Sequence, residues 1–124
     1  MKKFFLFAFV FILPKCILAT DLSASYASLR VMDKVTGRVT KLDVHVGEEL
    51  NFGKLNILVK KCLTRPPEET PENKAFLTVY ENIIKEESQI QLVFNGWMFS
   101  SNPALSSMEH PVYDIWLLKC QGIQ

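Results

Sequence analysis

Leu29-Arg30-Val31-Met32-Asp33-Lys34-Val35-Thr36-Gly37-Arg38-Val39-Thr40-Lys41-Leu42-Asp43-Val44-His45-Val46 decides the fold, because two alternating runs flank a short turn. Successive side chains of a strand point to opposite faces, so a period of two predicts half-buried strands and not a helix. Leu29 to Asp33 is expected to meet Arg38 to Val46 as a hairpin across Lys34-Val35-Thr36-Gly37, with Gly37 supplying the positive φ that such a turn needs. Leu42, Val44 and Val46 then share one face, and Lys41, Asp43 and His45 share the other. His45 is accordingly expected to be a solvated side chain and not a ligand.

The same rhythm continues toward the C-terminus. Gly47 and Gly53 bracket a turn-rich link through Leu50 and Phe52, and Leu55 to Cys62 reads as the next strand, with Leu58 and Cys62 on the same side. Residues 64–74, Thr-Arg-Pro-Pro-Glu-Glu-Thr-Pro-Glu-Asn-Lys, break the pattern, since each proline removes a backbone donor and the glutamates repel one another. They predict an exposed loop with polyproline character. Strands follow at Ala75 to Glu81 and Gln89 to Phe94, joined as a hairpin through 82–88. From Gly96 to Pro111 the rhythm changes: Trp97, Met98 and Phe99 run together, and Asn102 before Pro103 predicts a helix start, with Ala104 to Glu109 forming one or two turns. A last strand is expected from Val112 to Cys120, with Asp114, Trp116, Leu118 and Cys120 to one side. If that side faces inward, Asp114 needs a partner.

The N-terminus reads as an address. Lys2 and Lys3 precede ten apolar residues, Phe4 to Leu13, followed by Pro14-Lys15 and the small residue Ala19, the pattern of a secretory signal peptide. The run falls short of the ~20 residues that span hydrocarbon, so no membrane anchor is expected after cleavage. A cut after Ala19, with Ala24 and Ala27 as alternatives, separates residues 1–19 from an exported domain over 20–124. Cys16 follows the bulky charge of Lys15 and does not read as a lipidation site. Loss of Lys2, Lys3 and Lys15 leaves 11 basic against 13 acidic side chains, so the formal charge turns from +1 to −2. That balance removes the electrostatic basis for nucleic-acid binding.

Cys62 and Cys120 remain as an even pair in a chain bound for an oxidising compartment, which predicts one disulfide. Redox catalysis would call for a C-x-x-C spacing, which is absent.

Several stretches together resemble a known family: Gly96-Trp97-Met98-Phe99-Ser100, Pro103-Ala104-Leu105, and Glu109-His110-Pro111-Val112-Tyr113-Asp114-Ile115-Trp116-Leu117 running to Cys120. Phe52-Gly53, Cys62, Arg65-Pro66-Pro67, Pro71-Glu72-Asn73 and Ala75-Phe76 extend the likeness. The chain is similar to a family of exported alphaproteobacterial proteins catalogued as a domain of unknown function. The resemblance implies bacterial origin, an envelope location and a paired Cys62 and Cys120; it carries no activity.

Chemistry can be drawn around His110 and Asp114, four apart, with Ser100, Ser101, Ser106 and Ser107 upstream. A hydrolase needs its nucleophile presented to the base, and no Gly-x-Ser-x-Gly turn occurs here. The structural alternative has His110 donating to Asp114 or to a backbone carbonyl, tying the loop to the last strand. Met98, Met108 and His110 form a candidate soft metal set, against which stands the habit of methionine beside aromatics to fill core gaps. No cofactor is implied. A third possibility is a partner-binding surface built from Arg65, Pro66, Pro67, Trp97, Met98, Phe99 and Tyr113, residue types that concentrate at binding hot spots. The expected fold is all-β, a small antiparallel sandwich or partly closed barrel of about seven strands with one short helical turn and one disulfide. The expected role is a non-catalytic interaction or structural domain of the periplasm, partnered by another envelope protein. The alternative is a small hydrolase or metal-binding protein centred on His110.

Overall fold

In a computed structural model of the chain, which describes residues 10–14, 21–84 and 88–123, alternation becomes seven antiparallel strands. They are β1 (Leu22–Asp33), β2 (Val39–His45), β3 (Glu49–Phe52), β4 (Leu55–Thr64), β5 (Asn73–Ile84), β6 (Ser88–Phe99) and β7 (Tyr113–Ile123). The β1–β2 hairpin forms as expected, with Met32 opposite Val39 and Tyr26 opposite His45. Gly37 takes φ 72°, and Asp33 Oδ1 accepts the Val35 amide at 2.8 Å and the Thr36 amide at 3.2 Å, closing the turn. His45 is exposed, as its face predicts, and lies 5.7 Å from the Tyr26 ring.

The strand order is β2-β1-β4-β5-β6, with β3 also on β4 and β7 also on β1. β1 holds the two halves together. Its first residues pair with β4, Leu22 opposite Thr64 and Ser23 opposite Leu63, after which Tyr26 to Met32 pair with β2. Its other edge carries β7 from Ala24 to Asp33. The β2-β1-β7 half packs over the β3-β4-β5-β6 half, and one core fills the space between them. Leu29, Val31, Leu55, Ile57, Leu77 and Val79 are fully buried there. Removing each such side chain from water contributes roughly 1.5–3 kcal/mol. β6 and β7 do not pair, so the sheet stays open, an all-β architecture between sandwich and closed barrel. Cys62 and Cys120 meet as the predicted disulfide pair, Cα atoms 5.7 Å apart, tying β4 to β7. Beside them the Asn73 side chain accepts the Cys120 amide at 3.0 Å.

Strict period-two counting fails at β-bulges. In β4 the register shifts between Val59 and Lys61, so Leu55, Ile57 and Val59 are buried and the next buried residue is Cys62. Leu58 therefore lies on the face opposite Cys62, correcting the expectation that they share one. In β7 the ladder with β1 slips by one residue at Leu118, and burial runs Ile115, Leu117, Cys120. Asp114 and Trp116 thus face away from Cys120. In both strands one extra residue re-aims the chain and brings its cysteine into the core three positions after an apolar residue.

Other departures are local. The link through Leu50 and Phe52 is itself a strand, β3, with Leu50 opposite Ile57. Trp97, Met98 and Phe99 belong to β6, paired with Phe76, Ala75 and Lys74. The expected helix over Ala104 to Glu109 is one 3-10 turn, Pro103–Ser106, and Asn102 makes no side-chain cap. With too few residues before Pro111 and apolar Met108 buried, extended backbone wins over a second turn. The loop over 65–72 is present between β4 and β5, closed by the Arg65 amide on the Glu72 carbonyl at 3.1 Å. The signal-peptide reading falls on residues 1–19, outside the described residues except for 10–14, and the tip of the β5–β6 hairpin at 85–87 is also outside them. No helix among the described residues is long and apolar enough to cross a membrane.

Candidate functional site

β5 is apolar on both sides. Ala75, Leu77 and Val79 point into the core, while Phe76, Thr78 and Tyr80 alternate outward over the four-stranded half. Across the ladder the outward residues of β6 are Trp97, Asn95 and Leu92, opposite Phe76, Thr78 and Tyr80 in turn. On β4 the outward neighbours of Thr78 and Phe76 are Leu58 and Lys61. The Phe76 and Trp97 rings meet edge to face at 5.4 Å and an interplanar angle of 82°. Both are half-buried and neither packs into the core cluster. Thr78 is 2 % exposed although it lies on the outward side, because these neighbours cover it, and its hydroxyl donates to Asn95 Oδ1 at 2.9 Å.

Lysines stand over this aromatic band. Lys60 Nζ lies 5.9 Å from the Phe76 ring centre and Lys74 Nζ 5.7 Å from that of Trp97, within cation–π range. The β4 bulge explains the first contact: Lys60 is the extra residue, so Lys60 and Lys61 are both exposed between inward Val59 and Cys62. Lys74 also pairs with Asp21 at 3.0 Å.

The band continues into a cleft of about 440 Å³ at the end of the same half, walled by Leu63, Arg65, Glu69, Lys74 and Phe99. Arg65 is exposed and donates to the Thr70 carbonyl at 3.4 Å, which holds it on its own loop. Glu72 fixes that loop to the chain leaving β6. Its carboxylate accepts the Asn73 amide at 3.0 Å, the Ser101 amide at 3.2 Å, the Ser100 hydroxyl at 3.3 Å and the Ser101 hydroxyl. Partial burial pushes the Glu72 carboxyl up, but the hydrogen bonds from Ser101, Asn73 and Ser100 together outweigh it and hold the group below its ordinary 4.5.

His110 is 6 % exposed and fully engaged. Nδ1 accepts the Val112 amide at 3.0 Å and the Tyr113 amide at 3.1 Å, which leaves the ring proton on Nε2, 2.9 Å from Glu81 Oε2. Its partner is thus Glu81 of β5 and not Asp114. Asp114 instead pairs with Lys34 at 3.2 Å, and Lys34 also donates to the His110 carbonyl at 2.8 Å. Ser100 and Ser101 are turned to Glu72, and none of the hydrogen bonds among the described residues joins a serine to His110. Met98 and Met108 are each 3 % exposed in the core, and both nitrogens of His110 are already committed. Among the described residues no three His, Cys, Asp or Glu side chains gather as metal ligands.

Of the residues singled out from sequence for partner binding, Arg65, Trp97 and Phe99 come together on the outward side of the four-stranded half. Pro66 and Pro67 sit on the adjoining loop, Met98 points inward, and Tyr113 packs beside His110 and Phe52 at 5.5 and 6.1 Å. Sequence reasoning missed Lys60, Lys74, Phe76 and Tyr80. For Phe76 and Tyr80 the signal was the apolar run from Ala75 to Tyr80, interrupted only by Thr78, which marks a strand with an apolar outer side; Lys60 and Lys74 gave none.

Residues 27–120 match the model of a family described as an uncharacterized protein conserved in bacteria, DUF2155. The chain is also similar to the uncharacterized protein RP359 of Rickettsia prowazekii, 34% identical over 89 residues that make up 72% of this chain and 56% of that protein. The chain therefore spans little more than half the length of this curated relative. No solved structure matches it. Matched from β1 through the second disulfide cysteine, the chain belongs to the DUF2155 family of bacterial proteins.

Proposed function

We propose that this is a non-catalytic interaction domain of the bacterial cell envelope, released into the periplasm by removal of residues 1–19. One observation carries the reading: the cross-strand pairs Phe76–Trp97 and Tyr80–Leu92, on either side of the Thr78–Asn95 pair, place large apolar side chains on the outside of the sheet and outside the core cluster, Leu92 being 54% exposed. Aromatic side chains held rigid on paired strands present large contact area with little conformational entropy left to lose on binding. His110 supports the same reading, since a ring with both nitrogens occupied and 6% exposure is built to hold a loop in place. Export is supported by the Lys-apolar-small pattern of the first nineteen residues and by a cysteine pair suited to an oxidising compartment.

The test is in-cell photocrosslinking of the exported full chain, with benzoylphenylalanine placed at Leu92 on the band or at Trp116 on the opposite half. A discrete partner adduct from either position, retained in purified envelope fractions, is the expected result. Absence of any adduct above the level given by an unrelated exported protein would remove the reading.

A further inference from the structure

We infer that the outward face of β4, β5 and β6 docks a protein partner presenting apolar side chains bordered by Asp and Glu, an inference that rests on the interaction-domain reading above. Charge carries it. The outward side chains of β4 are Asn56, Leu58, Lys60, Lys61 and Leu63, and those described on β5 are Lys74, Phe76, Thr78, Tyr80 and Asn82. On β6 they are Ile90, Leu92, Asn95, Trp97 and Phe99. Among these described residues three are lysines and none is a carboxylate, in a domain whose residues after position 19 carry 13 acidic against 11 basic groups. Of the carboxylates, Glu81 is turned to His110, Asp43 and Asp114 belong to the other half, and those bordering this face are Glu49 on β3, Asp21 on Lys74, and Glu69 and Glu72 at the cleft.

Lys74 is neutralised by Asp21, but no ion pair among the described residues uses Lys60 or Lys61. Two adjacent ammonium groups are thus exposed beside an aromatic band, one of them resting over the Phe76 ring. Cations at the border of an apolar patch steer a partner of opposite sign and reject one of like sign. Ile90 and Leu92, 69% and 54% exposed, extend the band along β6 away from the lysines. This layout fits an apolar partner surface whose carboxylates fall at one end, over Lys60 and Lys61. A lipid surface is less well matched, since stable binding to anionic headgroups takes a cluster of about four or more basic side chains and two here are unpaired.

The experiment places benzoylphenylalanine at Trp97 in the full exported chain, in three backgrounds: wild type, Lys60→Glu/Lys61→Glu, and the control Lys41→Glu, a single charge reversal on the opposite half. All are first shown to fold by circular dichroism. The expected result is one protein adduct whose yield falls at least tenfold in the lysine double variant and is unchanged in Lys41→Glu. Changing the Asp or Glu residues of the crosslinked partner segment to Lys is expected to restore the yield in the double variant. Adducts to lipid, or to a second copy of this chain, would overturn the inference, as would a protein adduct whose yield ignores the charge reversal. So would no adduct at Trp97. If Trp116 still captures a partner in that case, the interaction-domain reading stands and only this surface and its chemistry fall.

Discussion

A single carboxylate shows how residue chemistry fixes a loop. Because hydrogen bonds hold Glu72 below its ordinary 4.5, the folded chain binds that proton less tightly than the unfolded chain does. Its contribution is therefore present above pH 4.5 and is lost as pH falls through the lower folded value. Comparing Glu72→Gln with wild type by urea unfolding is expected to show a deficit of at most about 1 kcal/mol at pH 7, small because the group is largely solvated, and closing in acid. His110 differs in kind, being buried with three partners. His110→Ala strands Glu81 and two amides, and is expected to lower the unfolding free energy by about 2–3 kcal/mol on the same assay. Gly53, in the turn between β3 and β4, has φ 55°, and an added Cβ would stand 2.7 Å from the Tyr113 hydroxyl oxygen. Gly53→Ala is expected to cost about 1–3 kcal/mol, read from the same urea midpoints. The glycine was legible in sequence as a turn; its contact with Tyr113, sixty positions on, was not.

Among the elements, β1 was the least legible and matters most. Only Leu29 to Asp33 could be assigned from its pattern, because Ser23-Ala24-Ser25-Tyr26-Ala27-Ser28 reads as small and polar, yet Ala24, Ala27 and Ser28 are buried. Small residues suit a strand flanked on both edges and crossed by the opposite half, with Ser28 donating to Asp43 at 2.6 Å. This bears on where the proposed signal cleavage would fall. A cut after Ala24 or Ala27 would remove Leu22 and Ser23, the residues that join β1 to β4, whereas a cut after Ala19 leaves β1 whole. N-terminal sequencing of the exported protein is expected to begin at Thr20. A start at Ser25 or Ser28 would mean that the chain folds without that junction. β4 and β7 show the opposite case, in which strand identity was plain but facing was not. A bulge depends on which residues stand opposite, and that is set by a neighbouring strand.

For the whole molecule, the edge between β6 and β7 is open, and the disulfide from β4 to β7 adds a covalent tie to the β1–β4 junction and the shared core. The bridge closes a separation of 58 positions. Replacing both cysteines, Cys62→Ala/Cys120→Ala, is expected to remove about 4 kcal/mol, measured as the shift in urea midpoint at constant slope. An unchanged midpoint would show that the halves hold together by core packing alone. The sequence by itself determined the all-β class, the first hairpin, the exposed proline-rich loop and the pairing of the two cysteines. These follow from side-chain alternation, turn chemistry and cysteine count, which are local or countable along the chain. Only the tertiary structure decided that His110 answers to Glu81, that Lys60 and Lys61 share a face with Phe76 and Trp97, and that Met98 lies within. Each of those depends on strand register and on bulges, which arise when separate strands meet and one residue of slip exchanges inside for outside.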